Sequence, residues 1–234
     1  MIGKDIDGGF AEYIKVPASN VLKIPHSLPF EQACILGCAV STAYHALKRG
    51  RICEGETVVI FGVGGLGLHA ISLAKIFKAK KVVAVDISDE KLQLAKRFGA
   101  DEIANPVTGN STLQIGDVTG GKLADLVLDF VGAPETIEEE IHCVGKGGRL
   151  VLVGISEGSI GISPYKTIIG KEMEIVGVND HLKSELAELI GLVTSGKIDL
   201  SKSITHRVHL DDVNSGFEIL EERIGDPVRV VVLK

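Results

Sequence analysis

Tryptophan is absent from the 234 residues, and there are only three tyrosines, seven phenylalanines and seven prolines. No apolar run approaches the ~20 residues a membrane-spanning helix requires. The longest are short pieces such as Val58-Val59-Ile60-Phe61. Met1 to Ile6 lacks the basic segment and following apolar stretch of a secretory leader. Basic clusters are missing as well. With 31 acidic and 25 basic side chains the formal charge is −6, a poor match to a nucleic-acid backbone. Repeats, low-complexity tracts and flexible linkers are also lacking. What remains, 45 % apolar residues and 28 glycines, is too apolar for disorder. The expectation is a soluble, cytoplasmic α/β protein that binds neither nucleic acid nor membrane. Its length suits one large domain, or one domain and a fraction.

The four cysteines, Cys34, Cys38, Cys53 and Cys143, include no C-x-x-C pair. Without a leader they read as reduced thiols rather than a disulfide framework. Cys34 and Cys38 share a face if their stretch is helical, and spacing alone makes them small packed hydrophobes.

From Val58 to Val178, β-branched runs alternate with runs at helical spacing. Thr57–Phe61, Lys81–Val85, Asp125–Phe130, Arg149–Val153 and Glu172–Val176 read as strands. Leu66–Lys78, Ser88–Phe98 and Glu135–Val144 read as helices, and Gly145–Gly148 as a turn. Continuous apolar strands separated by helices predict a doubly wound parallel sheet covered on both faces, the Rossmann arrangement. The ends differ. Residues 1–34 show one strand-like run, Phe10–Val16, and no helix of their own. Helices at Leu182–Thr194 and Asp211–Glu222, with strands at Ile204–Val208 and Val228–Leu233, close the chain. The two arms read as parts of a second domain.

Gly62-Val63-Gly64-Gly65-Leu66-Gly67 stands between a strand and a helix, the context a G-x-G-x-x-G dinucleotide fingerprint requires. Gly62 allows the turn, Gly64 lets a pyrophosphate approach the backbone, and Gly67 lets helix and strand pack closely. The phosphates then meet N–H groups at the positive end of a helix dipole. An acidic residue is expected about 20 residues on, at the end of the next strand. Asp86 stands there, 19 after Gly67. A carboxylate accepts hydrogen bonds from the ribose hydroxyls of NAD and repels the 2′-phosphate of NADP. Ile87, Ser88 and Asp89 supply no arginine for that phosphate, and Lys91 can bond a ribose hydroxyl, so NAD is the expected cofactor.

Gly8–Tyr13, Leu36–Ala46, the fingerprint and Arg229–Leu233 together make the chain resemble the medium-chain, zinc-type alcohol dehydrogenase family over its whole length. The resemblance implies three segments. Residues 1–38 are the end of a GroES-like catalytic domain, 39–179 the NAD-binding Rossmann domain, and 180–234 the return to the catalytic domain. By position, Cys38 matches a ligand of the catalytic zinc and Thr42 a residue contacting the nicotinamide. By the same resemblance Leu66 would pack behind the nicotinamide ring, and Lys91 would contact ribose. Phe130, Val131 and Gly132 match positions lining the adenosine and ribose side. Val153, Gly154 and Ile155 match a segment that meets the carboxamide, and Arg229 a basic residue that reaches the pyrophosphate. Sheet packing accounts equally well for the aliphatic and glycine positions, and a solvated surface charge for Arg229.

The family's remaining zinc ligands and its structural-zinc cysteine lobe have no counterpart here: there is no Gly-His-Glu motif, no cysteine cluster and no His-Glu-x-x-His. The nearest histidines are His26, His45 and His69. His45 is seven residues after Cys38, too far along a helix to share one ion. The resemblance implies that about 100 residues, a small domain, would precede Met1 in a full-length family member. The expectation is therefore a truncated gene, an internal start or a fragmentary gene model. It would be the NAD-binding part of a zinc-dependent alcohol or polyol dehydrogenase, inactive alone. A zinc-free, quinone-oxidoreductase-like reductase and a non-catalytic NAD-binding or dimerisation module are the alternatives. Cys38 and Asp86 weigh against the reductase. A small alcohol or carbonyl compound is the expected substrate. A homodimer or homotetramer paired through Glu172–Val178 and the preceding Ile160–Ile169 is the expected assembly.

Overall fold

A computed structural model of the protein describes residues 2, 3 and 5–234. They form two compact units, Cys38–Leu182 on the one hand and Met1–Gly37 with Lys183–Lys234 on the other.

The first unit is a six-stranded sheet, all parallel. Its strands are β1 (Thr57–Phe61), β2 (Lys81–Val85), β3 (Glu102–Ala104), β4 (Ala124–Asp129), β5 (Val144–Leu152) and β6 (Glu174–Gly177), in the spatial order β3-β2-β1-β4-β5-β6. Val58, Val59 and Ile60 of β1 and Val82, Val83 and Ala84 of β2 are wholly buried. Both faces are covered, so the strands carry apolar residues continuously rather than alternately. The covering helices are α2 (Ser41–Arg49), α3 (Gly67–Ile76), α4 (Asp89–Arg97), α5 (Ser111–Thr119) and α6 (Pro134–Cys143), preceded in the chain by α1 (Phe30–Ile35). Local chemistry sets the ends of two of them. The Ser88 side chain caps α4 by accepting from Lys91 N, with Asp89 and Glu90 in the first turn and Lys96 and Arg97 in the last, as the helix dipole favours. Asn110 caps α5 through Leu113 N, and Gly120 closes it at φ +65°.

The order 3-2-1-4-5-6 reverses direction between β1 and β4, and the crevice at the carboxyl ends of those strands is where such sheets hold ligands.

The second unit contains α1, α7 (Lys183–Thr194), α8 (Val213–Glu221) and a parallel pair, β7 (Ile204–His209) with β8 (Arg229–Leu233). Within it Arg207 forms a two-pronged ion pair with Glu31, at 2.7 and 3.2 Å.

Several expectations fail. Phe10–Val16 forms no strand: no ladder receives it, and Phe10 and Tyr13 lie exposed, Phe10 edge-on to Phe217 and Tyr13 beneath the Lys234 ammonium. The amino-terminal segment does own a helix, α1, together with a short 3₁₀ turn at Ala18–Asn20. Gly145–Gly148 lies inside β5, where the ladder to β4 slips register between Ala124 and Leu126. Residues 160–169 are not an edge strand. Ile160, Ile162 and Ile168 pack onto the core, and Pro164–Ile169 is a π-helical turn. β3 and α5 carry no strong sequence signal. The three residues of β3 pair with β2 and pack against α4 and α5, and α5 buries little besides Ile115.

No helix among the described residues is long and apolar enough to cross a membrane.

Candidate cofactor cleft

A cleft of about 430 Å³ opens at the switch point. Its floor is the turn after β1. Gly62 adopts φ +81° and donates its N–H to Val85 O at 2.9 Å. Gly67, at the start of α3, sits so close to that turn that a β-carbon on it would lie 2.1 Å from Gly62 O. A β-carbon on Gly64 would instead meet no atom within 4 Å, because that side of the turn faces open space. The start of α3 also brings the N–H groups that a helix leaves without intrahelical acceptors.

Asp86, the residue after β2, is 9 % exposed and lines the cleft. Its Oδ2 accepts from Val63 N and its Oδ1 from Ser88 N, both at 3.0 Å. Two backbone donors thus hold the carboxylate against the fingerprint turn, with acceptor capacity remaining. Lys91 Nζ is 3.9 Å from Oδ2, an ion pair that leaves the ammonium over the cleft.

The opposite wall follows β4. Phe130 N donates to Phe61 O at 2.9 Å, tying that wall to β1. Asp129 is wholly buried and organises two loops at once. Its Oδ1 accepts from Val131 N and Gly132 N at 2.8 Å each, and its main-chain carbonyl accepts from Val153 N and Gly154 N. Gly132 and Gly154 meet backbone to backbone: a β-carbon on Gly154 would lie 2.1 Å from Gly132 N.

Of the residues singled out in the sequence, Gly62, Gly64, Gly65, Leu66, Gly67, Asp86, Lys91, Phe130 and Val131 line this one cleft. Gly132, Val153 and Gly154 form the paired loops beside it, while Ile155 is almost fully exposed. Cys38 is exposed on a π-helical turn, Leu36–Val40, where its carbonyl accepts from Ser41 Oγ, and Thr42 is buried in α2. Arg229 opens β8 in the other unit. Pro106, Thr136 and Glu139 also line the cleft and escaped the sequence reading. Pro106 follows β3, and Thr136 and Glu139 belong to α6, outside the fingerprint on which the sequence reading rested.

The residues do not fit a zinc centre. Among the described residues no three histidine, cysteine, aspartate or glutamate side chains gather to hold a metal ion, whereas a catalytic zinc takes about three protein ligands. Cys38 is a single thiol. A dinucleotide is accommodated better, by the open face of Gly64, the helix start and the Asp86 carboxylate.

The family model for zinc-binding dehydrogenases matches residues 65–195. The chain is 37 % identical to L-threonine 3-dehydrogenase of Pyrococcus abyssi over 238 residues, covering all of this chain and 66 % of that protein. It superposes on the alcohol dehydrogenase of Thermus sp. ATN1 with a TM-score of 0.92 at 28 % identity, over 97 % of this chain and 66 % of the other. An alcohol dehydrogenase of E. coli CFT073 solved with NADH matches at TM-score 0.90 and 28 % identity, over 98 % of this chain and 67 % of that one. A zinc-binding dehydrogenase of Sinorhizobium meliloti bound to NADP also matches at 0.90, with 26 % identity, over 100 % and 68 %. A Rossmann-like sheet with a G-x-G-x-x-G turn at its switch point is the core over which these matches run. The chain belongs to the zinc-binding dehydrogenase family, and spans about two-thirds of the length of the relatives it matches.

Proposed function

We propose that the chain binds NAD(H) in the β1–β2–β4 cleft and is the cofactor-binding part of a dehydrogenase moving hydride between an alcohol carbon and the nicotinamide. The observation that carries this reading is Asp86, whose carboxylate is fixed by two backbone N–H groups at the mouth of the fingerprint turn. A ribose there offers hydroxyl donors to an acceptor with lone pairs to spare, and Lys91 adds a donor toward the ribose oxygens. A 2′-phosphate would bring like charge against Asp86. Gly62–Gly67 and the α3 N-terminus would take the pyrophosphate, and Phe130 and Val131 the adenosine side. Bound NAD would supply the hydride acceptor, while the chain's own residues bind and orient it. The proposed substrate class is an alcohol or polyol. The relatives named L-threonine 3-dehydrogenase and alcohol dehydrogenase support that class.

The donor set for zinc amounts to Cys38, so the proposal for this chain alone is cofactor binding without turnover of alcohols. Calorimetric titration tests the first half: NADH should bind at least tenfold more tightly than NADPH, and equal or tighter NADPH binding overturns the reading. Elemental analysis with an alcohol-oxidation assay tests the second. Stoichiometric zinc, with turnover abolished by Cys38→Ser, would reveal a ligand set the chain's geometry does not show.

Pairing with a second copy is part of the same reading. Among the described residues β6 pairs with β5 alone, which leaves its outer row of N–H and C=O groups as a sheet edge. A dimer extending the sheet across a two-fold axis should sediment as such at micromolar concentration.

A further inference from the structure

Helix α6 turns Ile137, Ile141 and Cys143 into the core, and on the same side it buries Glu140 completely. Neither carboxyl oxygen of Glu140 meets an N–H or O–H donor, and neither does Oδ2 of Asp129. Helix α6 packs on β4, which puts the buried Glu140 carboxyl beside that of Asp129. Two carboxyl groups can bond only if one carries the proton. Asp129 already receives two amide N–H donors at Oδ1, which suits a charged carboxylate, whereas Glu140 receives none. A proton held on Glu140 rather than on Asp129 fits that donor set.

The surroundings agree. Burial first, then the neighbouring Asp129 and Glu139 carboxylates, push the Glu140 carboxyl up to about 10. On its own helix Glu139 lies beside it and Cys143 one turn on. The Cys143 thiol is itself raised to about 11 by burial and bonds Thr112 of α5. From β4 the facing group is Asp129. The nearby cation, Lys171, spends its ammonium on the carbonyls of Ile141, His142 and Val144 at the end of α6.

We propose that Glu140 is a positioning residue for the cofactor cleft: its proton anchors Asp129 Oδ2, so that Oδ1 stays turned onto the amides of Val131 and Gly132 and the Phe130–Gly132 wall keeps its shape, and alkaline loss of that proton loosens the wall. Val131 also abuts Gly62 of the fingerprint turn, where a β-carbon would lie 2.8 Å from Val131 Cγ2, so movement of this wall reaches the cleft floor. The consequence for affinity rests on the cofactor reading above, while the proton and the loop do not.

Three forms of the full chain test this. In the infrared spectrum at pH 7 the unmodified protein should show the carbonyl stretch of a protonated carboxylic acid, and Glu140→Gln should lack it. Amide exchange of Val131 and Gly132 should stay protected in Glu140→Gln, whose amide N–H replaces the donor, and should speed up about tenfold in Glu140→Leu, which has none. Between pH 7 and 10 loop protection and NADH affinity should decline in the unmodified protein relative to Glu140→Gln, which has no proton to lose. Equal loop protection in all three proteins, or parallel pH profiles for the unmodified and Gln forms, overturns the proposal. If Glu140→Leu fails to fold, the comparison with Gln still decides. If the unmodified protein does not bind NADH, the cofactor reading falls, and amide exchange alone judges Glu140.

Discussion

Replacing two glycines of the fingerprint, one at a time, separates what the turn does for the fold from what it does for a ligand. A β-carbon at Gly67 would lie 2.1 Å from Gly62 O, where ordinary contact begins near 3.4 Å, so strand and helix must part by more than 1 Å. Overpacking of that kind costs about 1–3 kcal/mol. In a chain of this length each kcal/mol lowers Tm by about 2–4 °C. Gly67→Ala should therefore melt roughly 2–12 °C below the unmodified protein. Gly64 has no positive φ, and a methyl group placed on it would have no atom within 4 Å, so the fold accepts alanine there. The smaller entropy of the unfolded chain even favours it, by about 0.4–1 kcal/mol. In the cleft, however, that methyl stands where a pyrophosphate would touch backbone. NADH affinity should fall at least tenfold, about 1.4 kcal/mol. Thermal melts without cofactor and fluorescence titration with NADH read the two effects. The reasoning is refuted if Gly64→Ala binds NADH as tightly as the unmodified protein, or if Gly67→Ala melts at an unchanged temperature.

Asp86→Ser should narrow the NADH-over-NADPH preference by removing the like charge, visible as converging Kd values in calorimetry. Glu140 should also shape stability against pH. Its folded-state value near 10 lies above the ordinary 4.5, so between those limits the folded chain binds more protons than the unfolded one. Its stabilisation is complete below pH 4.5 and is lost as pH rises through the folded value, by up to about 1.4 kcal/mol per pH unit. Urea midpoints should accordingly fall more steeply between about pH 6 and pH 9 for the unmodified protein than for Glu140→Gln, and identical slopes would count against a protonated Glu140. Glu56→Ala should cost about 1–3 kcal/mol, because Arg149, largely buried, loses the carboxylate it bonds at 2.6 Å. Chemical denaturation measures that loss directly.

The elements legible in the sequence are those whose cause is local. β1 and β2 begin and end where the β-branched runs do, because strands buried on both faces must be apolar throughout. The fingerprint glycines and Asp86 are legible for a related reason. A turn that brings helix against strand and backbone against ligand leaves few residue types to choose from, at fixed spacing. Where a segment depends on a distant partner, the pattern misleads. Phe10–Val16 has strand composition and no strand beside it, while β3 has weak composition and is held by β2. Glu138, Glu139 and Glu140 read as one charged run, yet the packing of α6 on the sheet leaves the first exposed and buries the third against Asp129. The spacing Ile137, Glu140, Ile141, Val144 is that of a buried helix stripe, which is the one signal the sequence offers for that burial. Composition and periodicity determined that this chain would build a parallel sheet with a dinucleotide turn. Only the tertiary structure decided which carboxylates share that interior, because desolvation and proton sharing depend on neighbours that the chain brings together from eleven residues away and across a strand–helix boundary.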